Sequence, residues 1–155
     1  TLVSAGNSDA YIARYNADGT LAWAKSAGGT GEDIGLRITN YINADGSFAI
    51  TGYFSNTATF GAGEANATTL VSAGVEDIYM AKYNANGSLV WARRAGGTGV
   101  DAGRGIEINT DGTILLTGYF QGLANFGQGG VISQLTSIGN TNTFISKYNA
   151  NGTLD

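Results

Sequence analysis

Short stretches of alternating apolar and polar residues recur along the chain, separated by turns of one formula. In one stretch Tyr11, Ala13 and Tyr15 alternate with Ile12 and Arg14. The turns read Asn-x-Asp/Asn-Gly-Ser/Thr and lie at 16–20, 43–47, 84–88, 109–113 and 149–153. Alternation with a period of two is typical of strands, and Asp-Gly or Asn-Gly accepts the positive φ of hairpin turns. The pattern therefore predicts an all-β chain of hairpins without a helix.

These stretches belong to a long internal repeat. Tyr-Ile-Ala-Arg-Tyr-Asn at 11–16 returns 68 residues later as Tyr-Met-Ala-Lys-Tyr-Asn and again, 65 residues after that, as Phe-Ile-Ser-Lys-Tyr-Asn. Trp23 recurs as Trp91, and Gly-Gly-Thr-Gly stands at both 28–31 and 96–99. A fixed period of this kind indicates one supersecondary unit that stacks on its neighbours.

One repeat supplies four predicted strands, which we place at 34–41, 47–54, 77–83 and 88–94. Tight turns join the first pair and the last pair, and the long segments 55–76 and 121–142 connect the pairs. The first strand is rich in glycine, which suits an inner strand where units converge. Antiparallel four-stranded units at a fixed period, apolar on both faces, predict β-propeller blades, with a stacked solenoid as the structural alternative.

About two and a third repeats fit into the chain. We divide it into a partial blade at 1–29, a full blade at 30–97 and an incomplete blade at 98–155. The strand order is then third and fourth, a whole blade, and first to third. Because propellers close with about four to eight blades, we expect either a fragment of a larger propeller or chains that complete one another by strand exchange.

Composition narrows the function classes. The chain has 25 glycines, no proline, no cysteine, 13% charged residues and a net charge of −4, which disfavours nucleic acid as a partner. No apolar run reaches the length of a membrane span, so membrane insertion is not expected. A surface rich in Thr, Ser, Asn and Gly favours an extracellular or cell-surface location. We interpret the sequence as a mature or excised segment of something longer.

The residue types exclude much of catalysis. Without histidine or cysteine the chain cannot build a Ser-His-Asp or Cys-His arrangement or a His-ligated metal site. A carboxylate pair could still hydrolyse glycosides, and the available acids are Glu32, Asp33, Glu76, Asp77, Asp101 and Glu107. Asp33 recurs as Asp101 and Asp9 as Asp77, which predicts that they cap turns or accept backbone N–H bonds at strand starts. We expect no catalytic, cofactor-binding or metal-binding residues and no enzyme activity.

Other motifs have structural interpretations too. The Asn-x-Asp-Gly turns resemble part of a calcium loop but lack its other carboxylates, and calcium is the ion we would expect if any is bound. The Gly-Gly-Thr-Gly segments lack the Lys-Ser/Thr of a phosphate loop, and we interpret them as loops between blades. The repeating aromatic residues are expected to pack between blades, with carbohydrate stacking as the alternative for a few: Trp23, Trp91, Tyr11, Tyr15, Tyr79, Tyr83 and Tyr148.

The residues resemble a known family over nearly the whole chain. The motifs are the run from Gly6 to Trp23, Gly-Gly-Thr-Gly-Glu-Asp at 28–33 and Ile-Thr-Gly-Tyr-Phe at 50–54, and they are similar to the bacterial seven-bladed β-propeller repeat. A weaker likeness joins Asn-Ala-Asp-Gly-x-x-x-Trp to the tryptophan-docking segment of quinoprotein propellers. The resemblance implies a propeller fold, a secreted or surface location and tryptophan packing between blades, but no reaction.

Two functions remain open at this point. The first is a non-catalytic extracellular module for binding or adhesion that presents its variable connections to a glycan or a surface protein. The alternative is a structural subunit of a ring or filament, completed by strand exchange between chains. The expected partners are further blades of the same protein or other copies of the chain.

Overall fold

A computed structural model describes residues 1–40, 45–128 and 131–155. These residues form thirteen strands and no helix, and none of them could cross a membrane as a helix. The strands are β1 (Ala10–Tyr15), β2 (Leu21–Gly29), β3 (Asp33–Asn40), β4 (Phe48–Phe54), β5 (Thr57–Phe60), β6 (Thr68–Val71), β7 (Asp77–Tyr83), β8 (Leu89–Gly97), β9 (Ala102–Ile108), β10 (Ile114–Phe120), β11 (Leu123–Phe126), β12 (Ser133–Thr136) and β13 (Asn142–Tyr148).

The second blade has the predicted four antiparallel strands. They are β3, β4, β7 and β8, paired in that order, and their ends fall within three residues of the predicted ones. Tyr41 and the start of the 43–47 turn lie outside the described residues. The chain is therefore all-β and built from β-propeller blades. The first blade holds β1 and β2, and the third holds β9, β10 and β13.

The two long connections contain hairpins that the sequence did not reveal. The β5–β6 hairpin pairs with β2 of the first blade, and the β11–β12 hairpin pairs with β8 of the second. Each connection thus leaves its own blade and extends the outer edge of the preceding one. The resulting sheets are β1-β2-β5-β6, β13-β10-β9 and β12-β11-β8-β7-β4-β3. Neighbouring blades are consequently tied by backbone pairing as well as by side-chain packing.

The Gly-Gly-Thr-Gly segments are only partly loops, which corrects the prediction made from them. Their first two residues end β2 and β8 and pair with β5 and β11. The reason is steric, since a Cβ on Gly29 or Gly97 would collide with the carbonyl oxygen of Thr57 or Leu123. The missing side chain lets the hairpin of the long connection approach the end of the strand. We call these two hairpins, β5–β6 and β11–β12, the crossing hairpins.

Two hydrophobic cores lie between the blades. The first joins Ile12 of the first blade to Phe48, Tyr79 and Tyr83 of the second. The second joins residues of the second blade to residues of the third: Ala49, Met80 and Trp91 with Ile106, Leu116, Phe144 and Tyr148. The predicted packing between blades holds for Tyr79, Tyr83, Tyr148 and Trp91. It is wrong for Tyr11 and Tyr15, which are exposed because no second blade among the described residues packs against that side of β1.

Each tryptophan docks on the last hairpin turn of the following blade. A Cβ on Gly87 would lie 2.9 Å from Cε2 of Trp23, and a Cβ on Gly152 would lie 2.9 Å from Cδ2 of Trp91. The Trp91 indole N–H also donates to the carbonyl of Ala150 at 3.1 Å. Both glycines have a φ near +80°. They serve the turn geometry and the close approach of the ring at once.

Replacing Gly87 by alanine tests this docking contact. Gly19 is the matched control, because it holds the same turn position at φ +82° with nothing within 4 Å of a new Cβ. We expect Gly19→Ala to lower the free energy of unfolding by about 1–2 kcal/mol through backbone strain alone. Gly87→Ala should cost about 1–3 kcal/mol more, because the methyl group displaces the Trp23 ring. Urea unfolding measures both, and equal losses would contradict the docking role.

Candidate functional site

Two buried carboxyl groups meet where the second and third blades join. Asp77 begins β7 and Asp101 immediately precedes β9, and both side chains are fully buried. They converge on Gly96 of β8, because a Cβ there would lie 2.5 Å from Asp77 Oδ1 and 2.7 Å from Asp101 Oδ2. A parallel bridge between Glu76 and Val100 fixes the two strand starts side by side. The chain therefore holds two acids against each other away from water.

Backbone amides satisfy most of the oxygens of this pair. Asp101 accepts the N–H of Gly97 on Oδ2 at 2.7 Å and the N–H of Gln121 on Oδ1 at 3.0 Å. Asp77 Oδ2 accepts the N–H of Ala73 at 2.6 Å and Nη1 of Arg94 at 2.8 Å. These bonds are the backbone contacts that the repeat positions predicted for the carboxylates.

One oxygen of the pair has no donor. Asp77 Oδ1 is buried without a hydrogen-bond partner among the described residues. Burial, and to a smaller extent the neighbouring carboxylate of Asp77, raise the pKa of Asp101 to about 6 against the lowering effect of its backbone hydrogen bonds. A proton held on Asp101 would give Asp77 Oδ1 the donor it lacks, so a hydrogen bond would then join the two carboxyl groups.

A related pair lies between the first and second blades. A Cβ on Gly28 would lie 2.6 Å from Asp9 Cγ and 2.9 Å from Asp33 Oδ2, and Asp33 Oδ2 accepts the N–H of Gly29 at 2.8 Å. Burial and, as a smaller cause, the charge of Asp9 together raise the pKa of Asp33 to about 6. Ser26 stands in the place of Arg94, and within the described ranges no ion pair involves Asp9 or Asp33.

Three of the four paired acids are closed to solvent, whereas the fourth, Asp9, is half-buried. Asp33, Asp77 and Asp101 are each at most 1% exposed. A glycosidase needs one carboxyl on each side of an accessible glycosidic bond, and these acids instead bond to backbone amides inside a blade junction. Their chemistry is proton binding coupled to packing.

A second group of polar side chains faces outward near the strand starts. This polar cluster consists of Glu32, Tyr53, Glu76, Arg104 and Tyr119. Tyr53 donates to Glu32 Oε1 at 3.4 Å, Arg104 donates to the Tyr119 hydroxyl at 3.3 Å, and the Arg104 guanidinium lies 5.2 Å from the Tyr119 ring centroid. Partial burial raises the pKa of Glu76, and the charge of Glu32 adds to this.

Of this polar cluster, only Glu32 and Glu76 were candidates from the sequence. The repeat offered no further signal, since Val100 replaces Glu32 and Leu36 replaces Arg104 at the equivalent positions. The sixth candidate acid lies elsewhere, where Glu107 accepts the Thr39 hydroxyl at 3.4 Å. Within the described ranges, no three acidic, histidine or cysteine side chains are grouped so as to hold a metal ion.

The acidic turns use their carboxylates internally. Asp18 Oδ1 accepts both the N–H and the hydroxyl of Thr20, at 2.9 and 2.6 Å, and Asp111 does the same with Thr113. These hydrogen bonds lower the pKa of Asp18 and of Asp111. The turn oxygens are thus engaged in closing the hairpins, as the structural interpretation of these motifs requires.

Comparison with known proteins agrees with this architecture. Residues 1–21 and 43–89 match the model of a family described as "Domain of unknown function (DUF5122) beta-propeller". The match confirms the resemblance to a β-propeller repeat. No curated protein matches the chain.

The buried carboxyl pairs predict an unusual dependence of stability on pH. Asp33 and Asp101 bind their protons more tightly in the folded chain, with a pKa near 6, than in the unfolded chain, where it is 3.8. The free energy of unfolding should therefore fall as pH rises from about 4 to 6, by up to about 3 kcal/mol per carboxyl. As pH drops below about 4, the free energy of unfolding should also decrease, because Asp18 and Asp111 become protonated and their turn hydrogen bonds weaken.

Urea unfolding across this range, with two variants, measures the effect. Asp101→Asn removes one titrating group and should reduce the slope between pH 4 and 6 by about half. Asp111→Asn is the control, because its carboxyl is exposed and titrates below this window. A slope that Asp101→Asn leaves unchanged would contradict the raised pKa of Asp101.

Proposed function

We propose that this chain is a non-catalytic binding or adhesion segment of an extracellular or cell-surface β-propeller. The observation that carries the proposal is that the two sides of the crossing hairpins differ in how much their residues vary between blades. Positions that face the core are repeated between blades, and positions that face solvent differ. A rigid frame with variable outward residues is the usual design of a binding surface.

The alternation is clear in β5 and β11. Ala58 and Phe60 recur as Ala124 and Phe126, and all four are buried. The outward partners change from Thr57 and Thr59 to Leu123 and Asn125. Packing against the blade therefore constrains one side of each hairpin and leaves the other side free to take on a specific chemistry.

Cross-strand pairs on the outward side differ in the same way. In the first hairpin the hydroxyls of Thr59 and Thr69 lie 2.9 Å apart. In the second, Gln134 Nε2 donates to Asn125 Oδ1 at 2.8 Å in the same register. One hairpin thus shows hydroxyl groups and the other carboxamide groups, both of which can bond to sugar hydroxyls or to a peptide backbone.

The second hairpin also offers a free backbone edge. All four residues of β12 are exposed, and β12 is the outer strand of the six-stranded sheet. An exposed edge of this kind can accept an extended segment of a partner protein. A glycan and a surface protein are accordingly the two partner classes to be tested at the hairpins.

The absence of catalysis is part of the proposal. Asp33, Asp77 and Asp101 at the blade junctions are closed to substrates, and the sequence has neither histidine nor cysteine. The low charge and the surface rich in Thr, Ser, Asn and Gly support a location outside the cell. Protease shaving of intact cells that carry the natural protein would test that location.

A glycan array incubated with labelled chain tests the binding function. We expect saturable binding of some glycans, recovered unchanged when analysed by mass spectrometry. Replacing the outward residues Leu123, Asn125 and Gln134 of the second hairpin by the threonines at the equivalent positions of the first should weaken binding by about tenfold or more, if these groups carry the contacts.

A matched variant separates binding from catalysis. Glu32→Gln in the polar cluster should leave glycan binding unchanged, because that side chain lies at the strand starts and not on the hairpins. Cleavage of a bound glycan that Glu32→Gln or Glu76→Gln abolishes would overturn the proposal in favour of an enzyme. Absence of binding to glycans, with capture of peptide segments by the β12 edge, would instead identify a protein partner.

A further inference from the structure

The first and third blades each leave one sheet face uncovered. We call the side of a blade that packs on the following blade its forward face, and the opposite side its rear face. Within the chain, forward faces meet rear faces at both junctions. The rear face of the first blade and the forward face of the third blade have no partner among the described residues.

The uncovered rear face has the composition of a buried one. Tyr11, Tyr15 and Leu21 occupy the positions of Tyr79, Tyr83 and Leu89 in the next repeat. Tyr11 is 72% exposed where Tyr79 is 0% exposed, and Leu21 is 55% exposed where Leu89 is 1% exposed. The same side chains that form the first core in the second blade therefore point to solvent in the first.

The uncovered forward face shows the same contrast. Ile145 and Leu115 occupy the positions of Met80 and Ala49, which lie in the second core. Ile145 is 80% exposed where Met80 is 1% exposed. Leu115 and Ile145 also border a groove of about 640 Å³, whose lining extends to Ile38 of the second blade. Large apolar side chains around an open groove mark an interaction surface.

The internal junctions show what these faces accept. Met80 of a forward face shares a core with Phe144 and Tyr148 of a rear face, and Ile12 shares one with Tyr79 and Tyr83. Ile145 occupies in the third blade the position that Ile12 and Met80 occupy in the first and second blades. Tyr11 occupies in the first blade the position that Tyr79 and Phe144 occupy in the second and third blades. The chain thus presents both halves of one repeating interface, one at each end.

We infer that the chain associates head to tail with a second copy of itself. The rear face of one copy, with Tyr11, Tyr15 and Leu21, stacks on the forward face of another, with Leu115 and Ile145. The contact is centred on β1 and β13, the third strands of their blades, which both copies possess. Because the two surfaces differ, the association is heterologous and can continue into rings or open chains. This inference goes beyond the proposed function, which concerns the hairpins.

Sedimentation velocity and native mass spectrometry of the 155-residue chain, over a series of concentrations, test the association. The chain should form dimers and larger species that grow with concentration. Tyr11→Asp places a carboxylate on the rear face of the first blade, and Ile145→Asp places one on the forward face of the third blade. Each should weaken association by well over tenfold, because the contact would bury an unpaired carboxylate.

Mixing the two variants identifies the geometry. Tyr11→Asp keeps an intact forward face and Ile145→Asp keeps an intact rear face, so an equimolar mixture should form a heterodimer and nothing larger. Ile138→Asp is the control, because Ile138 is 88% exposed and its equivalent in the second blade, Ala73, stays exposed beside an internal junction; it should assemble like the parent chain. Thermal unfolding of each variant establishes that it is folded before association is compared.

Several results would overturn the inference. These are a parent chain that stays monomeric at every concentration, a mixture that stays monomeric, or a loss of assembly in Ile138→Asp equal to that in the face variants. Assembly abolished by one face variant and unaffected by the other would indicate a contact between like surfaces and would also overturn it.

Discussion

The missing side chains at two glycine pairs allow the blades to join. Gly28 and Gly29 end β2, and Gly96 and Gly97 end β8. At the second glycine of each pair the crossing hairpin lies against the backbone, and at the first glycine two carboxyl groups converge. A methyl group at any of these positions would meet a carbonyl oxygen or a carboxylate. Hairpin crossing and carboxyl pairing therefore depend on the same absence of a Cβ.

The carboxyl pairs carry an electrostatic cost that the junction geometry partly offsets. Burying a carboxylate is expensive unless hydrogen bonds replace its hydration, and the backbone N–H groups of Gly97, Gln121 and Ala73 do so for most of the oxygens. Arg94 adds a cation at the second junction, whereas the first has Ser26 in its place. The remaining cost is reduced by binding a proton, which links junction packing to pH.

The sequence predicted the blade because period-two alternation and Asx-Gly turns are local signals. It did not predict the crossing hairpins, because β5, β6, β11 and β12 have four residues each, too few to show a period. It recognised Asp33, Asp77 and Asp101 as structural but could not show that they meet in pairs, since that depends on how blades stack. The prediction that Tyr11 and Tyr15 are buried failed for the same reason. A blade face is buried only when a second blade packs on it, and the sequence of one strand does not show whether that happens.

The third blade differs from the others at the residue that would matter for a further junction. Asn142 occupies the position of Asp9 and Asp77, and its Oδ1 accepts the N–H of Ile138 at 3.0 Å as Asp77 accepts that of Ala73. The turn is thus preserved without a carboxylate. A contact between the forward face of this blade and the rear face of another copy would contain no carboxyl pair, since Asn142 presents an amide where Asp9 and Asp77 present a carboxylate. Protonation would therefore govern the two junctions inside the chain, while apolar side chains alone would govern a junction between chains.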